Sequence, residues 1–229
     1  MDRPLVIAHR GASGREAENS LAAFRVAREL GADAVELDVH TTADGHLVVH
    51  HDEMIGHHHI AHCSLAEVQA HHLKNGEPIP TLVQALDVIV PAMIAFIEIK
   101  TMAPKWDQHF FDRLDRYPHV ERIAIHSFDH RIVHRIGDER PRLARGVLSS
   151  SYPVYPARVM EDADASALWQ HAPLVDSVLV DKVHAAGGVV YAWTVDDPAR
   201  MEQLLAMGVD GLCTNHPDRA RQAVDSLPS

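Results

Sequence analysis

Ionisable side chains recur in this chain at the ends of short apolar runs, where a fold tolerates them only with a partner or an ion. His9 and Arg10 directly follow the apolar run 5–8. Glu36 and Asp38 lie two apart in the run 34–39, so on a strand both point to the same face. Glu98 and Lys100 repeat that spacing at the end of the run 94–99, and His51-Asp52 follows the short run 47–49. Three carboxylates converging from neighbouring strands, Glu36, Asp38 and Glu98, raise one another's pKa unless a cation compensates. An oxygen donor set without Cys favours one hard divalent cation, Mg²⁺ or Ca²⁺, over Zn²⁺. A salt-bridge network of the same acids with Arg10 and Lys100 is the competing reading. Two histidines at the same place tip the balance toward chemistry, because imidazole gives and takes protons near neutrality. Arg10 and Lys100 suit an anion, and beside a divalent cation that anion reads as phosphate. Metal, cationic clamp and the pair His9 and His51 together read as phosphodiester cleavage.

Such a constellation needs elements that deliver it to one place. Short apolar runs, the signature of strands buried on both faces, alternate with amphipathic stretches. Strands are expected near residues 5, 34, 94, 122, 143, 165, 189 and 211. Between them, helices are expected from Asn19 or Ser20 to Gly31, a short one opened by the capping box Ser64-Leu-Ala-Glu67, and others over 82–89, near 106–116 and 130–136, at about 174–186, at 198–207 and after Pro217. Eight β/α steps at this length suit a (β/α)₈ TIM barrel. A doubly wound open sheet is the alternative. In a barrel, chemistry sits at the C-terminal ends of the strands. His9, Glu36, Asp38, Glu98, Lys100, Trp193-Thr194 and Thr214 all fall there.

The 229 residues contain 46% hydrophobic and 23% charged side chains, the balance of a chain with a packed core. No composition break or low-complexity linker divides them, so residues 1–229 read as one domain. Net charge is −11, which disfavours nucleic acid or an anionic bilayer as a bulk partner. No apolar run approaches the ~20 residues that span a membrane, so no stable membrane insertion is expected. The opening residues Met-Asp-Arg-Pro-Leu-Val-Ile-Ala lack the apolar stretch of a signal peptide. Two cysteines, Cys63 and Cys213, are too few for a disulfide framework. These features place the protein in the cytoplasm as an expectation.

The motifs, in order, resemble one family. They are Ile7-Ala-His-Arg-Gly-Ala-Ser-Gly14, Glu18-Asn19, Glu36-Leu-Asp38, Thr42-Ala-Asp-Gly45 and Val48-Val-His-His-Asp52. Ile79-Pro-Thr-Leu82, Glu98-Ile-Lys100, Ser127-Phe128, Trp193-Thr-Val195 and Thr214-Asn-His-Pro-Asp218 follow. The series resembles the glycerophosphodiester phosphodiesterases over nearly the whole chain. The resemblance implies a (β/α)₈ barrel with a small insertion after the second strand, here the His-rich segment of about 53–78. It implies hydrolysis of a small-molecule glycerophosphodiester to glycerol 3-phosphate and an alcohol, through a cyclic phosphate. Carried over, Glu36, Asp38 and Glu98 hold the metal, and His9 and His51 are the acid–base pair, with His9 as base. Arg10 and Lys100 contact phosphate, and Phe128 and Trp193 line the glycerol side. Departures from the family pattern are Ala17 for Pro, Ser20 for Thr, Asn215 for a common Asp, and the His57-His58-His59 run in the insertion.

Two other functions compete. A lysophospholipase D-like phosphodiesterase would need an apolar patch near the mouth, and the insertion carries no such stripe. A barrel that binds phosphate compounds without turnover would be expected to lack one of the two histidines or three carboxylates, and all five are present. The His57–His59 run reads as a solvated loop, Cys213 as core packing, and Ser149-Ser150-Ser151 as a loop at the barrel mouth.

Overall fold

Strand-forming runs and capped helices alternate along the chain and, in the computed structural model, close into a barrel; residues 3–228 are described. The strands are β1 (Leu5–His9), β2 (Ala34–Thr41), β3 (Leu47–Val49), β4 (Met54–Ile55), β5 (His58–His59) and β6 (Ile94–Thr101). They continue with β7 (Ile123–Ser127), β8 (Ala144–Ser149), β9 (Ala167–His171), β10 (Val189–Trp193) and β11 (Gly211–Thr214). The ring runs β1-β2-β6-β7-β8-β9-β10-β11 in parallel, and β1 pairs with β11 to close it. β3 lies antiparallel on β2, outside the ring. The helices are α1 (Leu21–Glu29), α2 (Leu65–Gln69), α3 (Leu82–Ile89), α4 (Asp107–Leu114) and α5 (His130–Glu139). After them come α6 (Pro156–Glu161), α7 (Ser177–Ala185), α8 (Pro198–Ala206) and α9 (Pro217–Asp225).

Local chemistry starts these helices where the sequence expects them. The Ser20 hydroxyl accepts from the Ala23 N–H to open α1, while Asn19 turns elsewhere. Thr81 with Gln84 forms a reciprocal capping box on α3, and Ser64 with Glu67 does the same on α2. Gly31, at φ +80°, ends the α1 turn in the left-handed region that glycine enters without penalty. α6 was not among the expected helices: at six residues it is too short for a periodic signal, and it follows the Ser- and Pro-rich loop. The insertion is also more ordered than a loop. Val48, Ile55, Ile60, Cys63, Val68 and Ile79 bury one another in a small core of their own.

Side-chain alternation divides each barrel strand between two environments. Val6, Val35, Leu37, Ile97, Leu168, Val190 and Leu212 face outward and pack beneath the helices. Ile7, Ala34, Phe96, Ala124, Leu148, Trp169 and Cys213 face the barrel axis. Glu36 and Asp38 share the parity of Ala34, Glu98 that of Phe96, and His126 that of Ala124. Two apolar layers thus fill the lower barrel, and a charged layer sits above them at the C-terminal end. Among the described residues, no helix is long and apolar enough to cross a membrane.

Candidate active site

A cavity of about 370 Å³ opens at the C-terminal end of the strands and is lined by His9, Arg10, Glu36, His51, Glu98, Lys100, Phe128 and Trp193. Eight of the nine expected site residues therefore meet at one mouth. The same wall includes His126 and Trp169, which sequence reasoning did not select. The ninth, Asp38, is engaged by two of these lining residues: Lys100 Nζ stands 2.9 Å from one oxygen and Arg10 Nε 3.0 Å from the other. Asn19 Nδ2 donates to it at 2.8 Å.

Burial and charge set the protonation tendencies. Burial alone would raise Asp38, but Lys100 and Arg10 outweigh it and hold the carboxyl at about 2. Glu36 moves the other way: burial, then repulsion from Asp38 and Glu98, drives it well above the usual carboxylate range. Among the described residues, no Arg or Lys side-chain nitrogen lies within 4.0 Å of its oxygens, and the Arg10 backbone N–H donates to it at 3.2 Å. Glu98 is pushed up to about 7 by burial and then by Asp38, despite Lys100 Nζ at 2.6 Å. Burial would lower Lys100, yet Asp38 and Glu98 prevail and raise it, so it stays an ammonium ion. Buried carboxylates short of positive charge are what a divalent cation satisfies, so the residues present fit one.

The backbone at Arg10 is part of the design. Arg10 sits at φ +55° and Asn19 at φ +58°, a region costly for side chains other than glycine. The Asn19 N–H donates to Arg10 O at 2.9 Å, tying the two strained residues together. This turn aims the guanidinium at Asp38 and at Glu18, whose carboxylate is 2.9 Å from Nη1. Strain held at such a place is a mark of function.

Each imidazole is oriented by a neighbour. His9 Nδ1 lies 2.8 Å from Asn215 Oδ1, and Asn215 Nδ2 donates to Asp196 Oδ2 at 2.6 Å. A carboxylate can only accept, so the Asn215 amide must present its oxygen to His9. The Nδ1 therefore carries the proton, and Nε2 keeps its lone pair. Burial, then the Arg10 charge, lowers the His9 pKa and favours that neutral form. His51 Nδ1 donates to Asp52 Oδ1 at 2.8 Å, and His40 Nε2 meets His51 O at 3.1 Å. Asn215, noted in the sequence only as a lost charge, is thus the orienting partner of His9.

Phe128 and Trp193 meet edge to face with centroids 5.5 Å apart, forming an apolar wall beside the charged layer. His126, 1% exposed, stacks on Trp169 with centroids 4.2 Å apart and planes 14° from parallel. Burial drives its pKa down to about 3, so the ring is neutral. One ligand atom from each of Glu36, Glu98 and His126 lies within 4.8 Å of the others. The His57–His59 run forms no such group among the described residues; His59 meets His62 with ring centroids 5.6 Å apart.

Similarity to known proteins covers the same ground. The sequence model of the glycerophosphoryl diester phosphodiesterase family matches residues 9–219. A glycerophosphodiester phosphodiesterase of Caldanaerobacter subterraneus subsp. tengcongensis is 34% identical over 94% of this chain and 96% of its own. A phosphodiesterase of Oleispira antarctica, solved in complex with the product sn-glycerol-3-phosphate, superposes with a TM-score of 0.89 at 29% identity, over 98% of both chains. A glycerophosphodiester phosphodiesterase of Parabacteroides distasonis matches equally well, with the same TM-score, identity and coverage.

Proposed function

The chain belongs to the glycerophosphoryl diester phosphodiesterase family, and from that premise we propose that it hydrolyses small glycerophosphodiesters to glycerol 3-phosphate and an alcohol by histidine acid–base catalysis. The observation that carries the proposal is the single cavity lined by two oriented imidazoles, two cations and the buried carboxylates. Glu36, Asp38 and Glu98 would hold one divalent cation, with Lys100 and Arg10 beside Asp38. An all-carboxylate set admits Mg²⁺ or Ca²⁺. When bound, the cation supplies charge neutralisation at the phosphoryl oxygens and acidifies the attacking hydroxyl.

The chain's own residues do the rest. Arg10 and Lys100 donate to the non-bridging phosphate oxygens; Lys100 directs two of its three N–H bonds at Asp38 and Glu98 and keeps one for substrate. Phe128 and Trp193 pack against the glycerol carbons and exclude water from that side. His9 Nε2 takes the proton of the glycerol 2-hydroxyl, whose oxygen attacks phosphorus. The bond from phosphorus to the alcohol oxygen breaks, and His51 protonates the departing alcohol. A five-membered cyclic phosphate remains. In the second half His51 takes a proton from water, the hydroxide attacks phosphorus, and the bond to the glycerol 2-oxygen breaks. His9 returns its proton to that oxygen, which releases glycerol 3-phosphate. The two free cysteines fit a cytoplasmic setting for this reaction, and the net negative surface fits a small metabolite rather than nucleic acid.

The test is release of glycerol 3-phosphate from glycerophosphocholine, glycerophosphoethanolamine and glycerophosphoglycerol, each with Mg²⁺, Ca²⁺ or EDTA, beside Glu36→Ala. Cation-dependent turnover lost in the variant supports the proposal. No turnover by a folded, cation-loaded protein on any of the three overturns it.

One observation favours a lipid-tailed substrate as a second reading. The apolar patch missing from the insertion occurs across the mouth, on the loops after β7 and β8. Phe128, Tyr152, Val154 and Tyr155 are all exposed there, Val154 at 75% and Tyr155 at 67%. Under this reading Val154→Ser/Tyr155→Ser lowers kcat/KM for lysophosphatidylcholine and leaves glycerophosphocholine unchanged. Equal rates on both substrates in both proteins reject it.

A further inference from the structure

We propose that His126 is a nitrogen ligand of the divalent cation, and that it makes the site prefer ions that accept imidazole, Mn²⁺ and Co²⁺, over Mg²⁺ and Ca²⁺. The inference rests on the cation site proposed above and adds a donor that its carboxylates do not include.

Strand register brings the ring there. Asp38 on β2 is the cross-strand partner of Glu98 on β6, and Glu98 is the partner of His126 on β7. Glu36 and Asp38 lie two apart on β2 and face inward together, so the four side chains converge above Phe96 and Trp169. His126 Nε2 is 3.8 Å from Glu36 Oε1, beyond hydrogen-bond reach. Two donors that each stand about 2.1 Å from one ion are roughly 3–4 Å apart. The donor atoms of Glu36, Glu98 and His126 all fall within 4.8 Å of one another, so small side-chain closure completes the set.

Packing alone does not account for an imidazole at this position. Trp169 stacks on the ring and Phe96 meets it edge-on with centroids 6.5 Å apart, contacts that a phenyl group would make equally well. A phenyl group would carry no nitrogen here, whereas His126 turns Nε2 toward Glu36 at 3.8 Å without hydrogen-bonding to it, which leaves that lone pair free. The stacking instead fixes the ring plane, which is what a ligand needs in order to keep its lone pair aimed. Asp38 is already occupied by Lys100, Arg10 and Asn19. His126 therefore adds a nitrogen donor to the carboxylates on the cavity wall. A neutral nitrogen among the carboxylate oxygens favours transition ions, whose affinity for imidazole exceeds that of Mg²⁺ and Ca²⁺.

The experiment uses the full chain, stripped by chelation and reloaded with one equivalent of Mn²⁺. Pulsed EPR should detect coupling from a directly bound ¹⁴N nucleus, and calorimetry should rank Mn²⁺ above Mg²⁺ and Ca²⁺. His126→Phe keeps the stack on Trp169 and should lose that coupling. Its Mn²⁺ affinity should fall by at least the ~10–100-fold that follows loss of even an outer-shell partner, while Ca²⁺ affinity stays within about threefold. His126→Gln, checked with His126→Phe by circular dichroism and thermal melting, separates ligand loss from misfolding. The inference fails if the wild-type signal lacks nitrogen, if the coupling persists in His126→Phe, or if the Mn²⁺/Ca²⁺ ratio does not move. Glu36→Gln distinguishes that failure from failure of the cation site itself. If Glu36→Gln binds every ion as the wild type does, the site reading falls, whereas lost binding there with unchanged selectivity in His126→Phe sinks only the nitrogen ligand.

Discussion

Exchanging the side chains at 215 and 196, as N215D/D196N, moves a negative charge onto His9 without breaking the hydrogen-bond chain behind it. In the wild type the order is imidazole, amide, carboxylate: His9 Nδ1 to Asn215 at 2.8 Å, then Asn215 to Asp196 at 2.6 Å. The swap reverses the last two, since the amide introduced at 196 can donate to the carboxylate introduced at 215. Its oxygen can still accept from the Thr214 hydroxyl and the 215 backbone N–H, which now meet Asp196 at 2.9 and 2.8 Å. Wild-type His9 is lowered by burial and then by Arg10, so it is neutral above a pKa that lies below 6.5. If it is the base, kcat/KM falls as pH drops through that pKa. A carboxylate in direct contact stabilises the imidazolium. A unit charge ~4 Å away at an effective dielectric near 20 contributes roughly 4 kcal/mol, and measured neighbours of this kind shift a pKa by about 1–3 units. The sign is upward, so the acid limb of the kcat/KM profile should move about 1–3 units to higher pH. Above the new limb the rate should recover, because the Nδ1 proton and the free Nε2 are preserved. Glycerol 3-phosphate release between pH 4.5 and 9 reads both quantities. A companion, Asn215→Leu, removes the acceptor and should lower the plateau by the ~10²–10⁴-fold that general base catalysis contributes. A swap that folds and turns over with its acid limb unmoved would refute the assignment of His9 as base.

Three further outcomes follow from the same geometry. Lys100→Met removes an ammonium 2.6 Å from Glu98 and 2.9 Å from Asp38. Its kcat/KM should fall by about 10²–10³, the usual effect of deleting one preorganised donor, in steady-state assays at saturating cation. Gly11→Ala places a Cβ 2.8 Å from the Ala23 backbone carbon at a φ of +80°. The left-handed conformation alone costs ~1–2 kcal/mol, and with the clash the melting temperature should drop by about 4 °C or more. Asp38 has a folded pKa of about 2 against an ordinary 3.8, so its stabilisation is present above 3.8 and lost as pH falls toward 2. In EDTA, Asp38→Asn should be less stable than wild type by on the order of 2 kcal/mol at pH 7. Urea titrations should show that gap closing between pH 4 and 2, and a gap independent of pH would contradict the ion-pair account.

Strand and helix positions were legible because each barrel strand carries its own apolar run and most helices carry their own cap. The α3 boundaries, 82–89, coincide with the expectation because Thr81 and Gln84 fix its start. The sixth strand, placed around 165, is β9 at Ala167–His171. Its outward and inward residues include Trp169, Gln170 and His171, so the apolar signal is diluted although Gln170 is fully buried. In the insertion the Ser64–Glu67 capping box was legible, but the small core was not, because it draws on residues from 48 to 79 that no local window joins.

His126 and Asn215, two of the site residues whose roles sequence reading passed over, differ in how they could have been found. Asn215 acts through a contact 206 positions away, with an orientation set by Asp196, and only the closed ring makes that contact. No local pattern encodes it. His126 was within reach. A strand buried on both faces gives no alternation from which to read its inward side, but Phe128 had already been assigned to the cavity. Continued one residue past the strand end, the two-residue alternation puts His126 on the side of Phe128, one layer deeper. The same step from Glu98 to Phe96 and from Trp193 to Tyr191 reaches aromatic residues that fill the barrel. Of these three steps, the one on β7 reaches an imidazole nitrogen, directly beside the carboxylates. The parity that built the acidic pair on β2 thus also delivers a nitrogen donor to it.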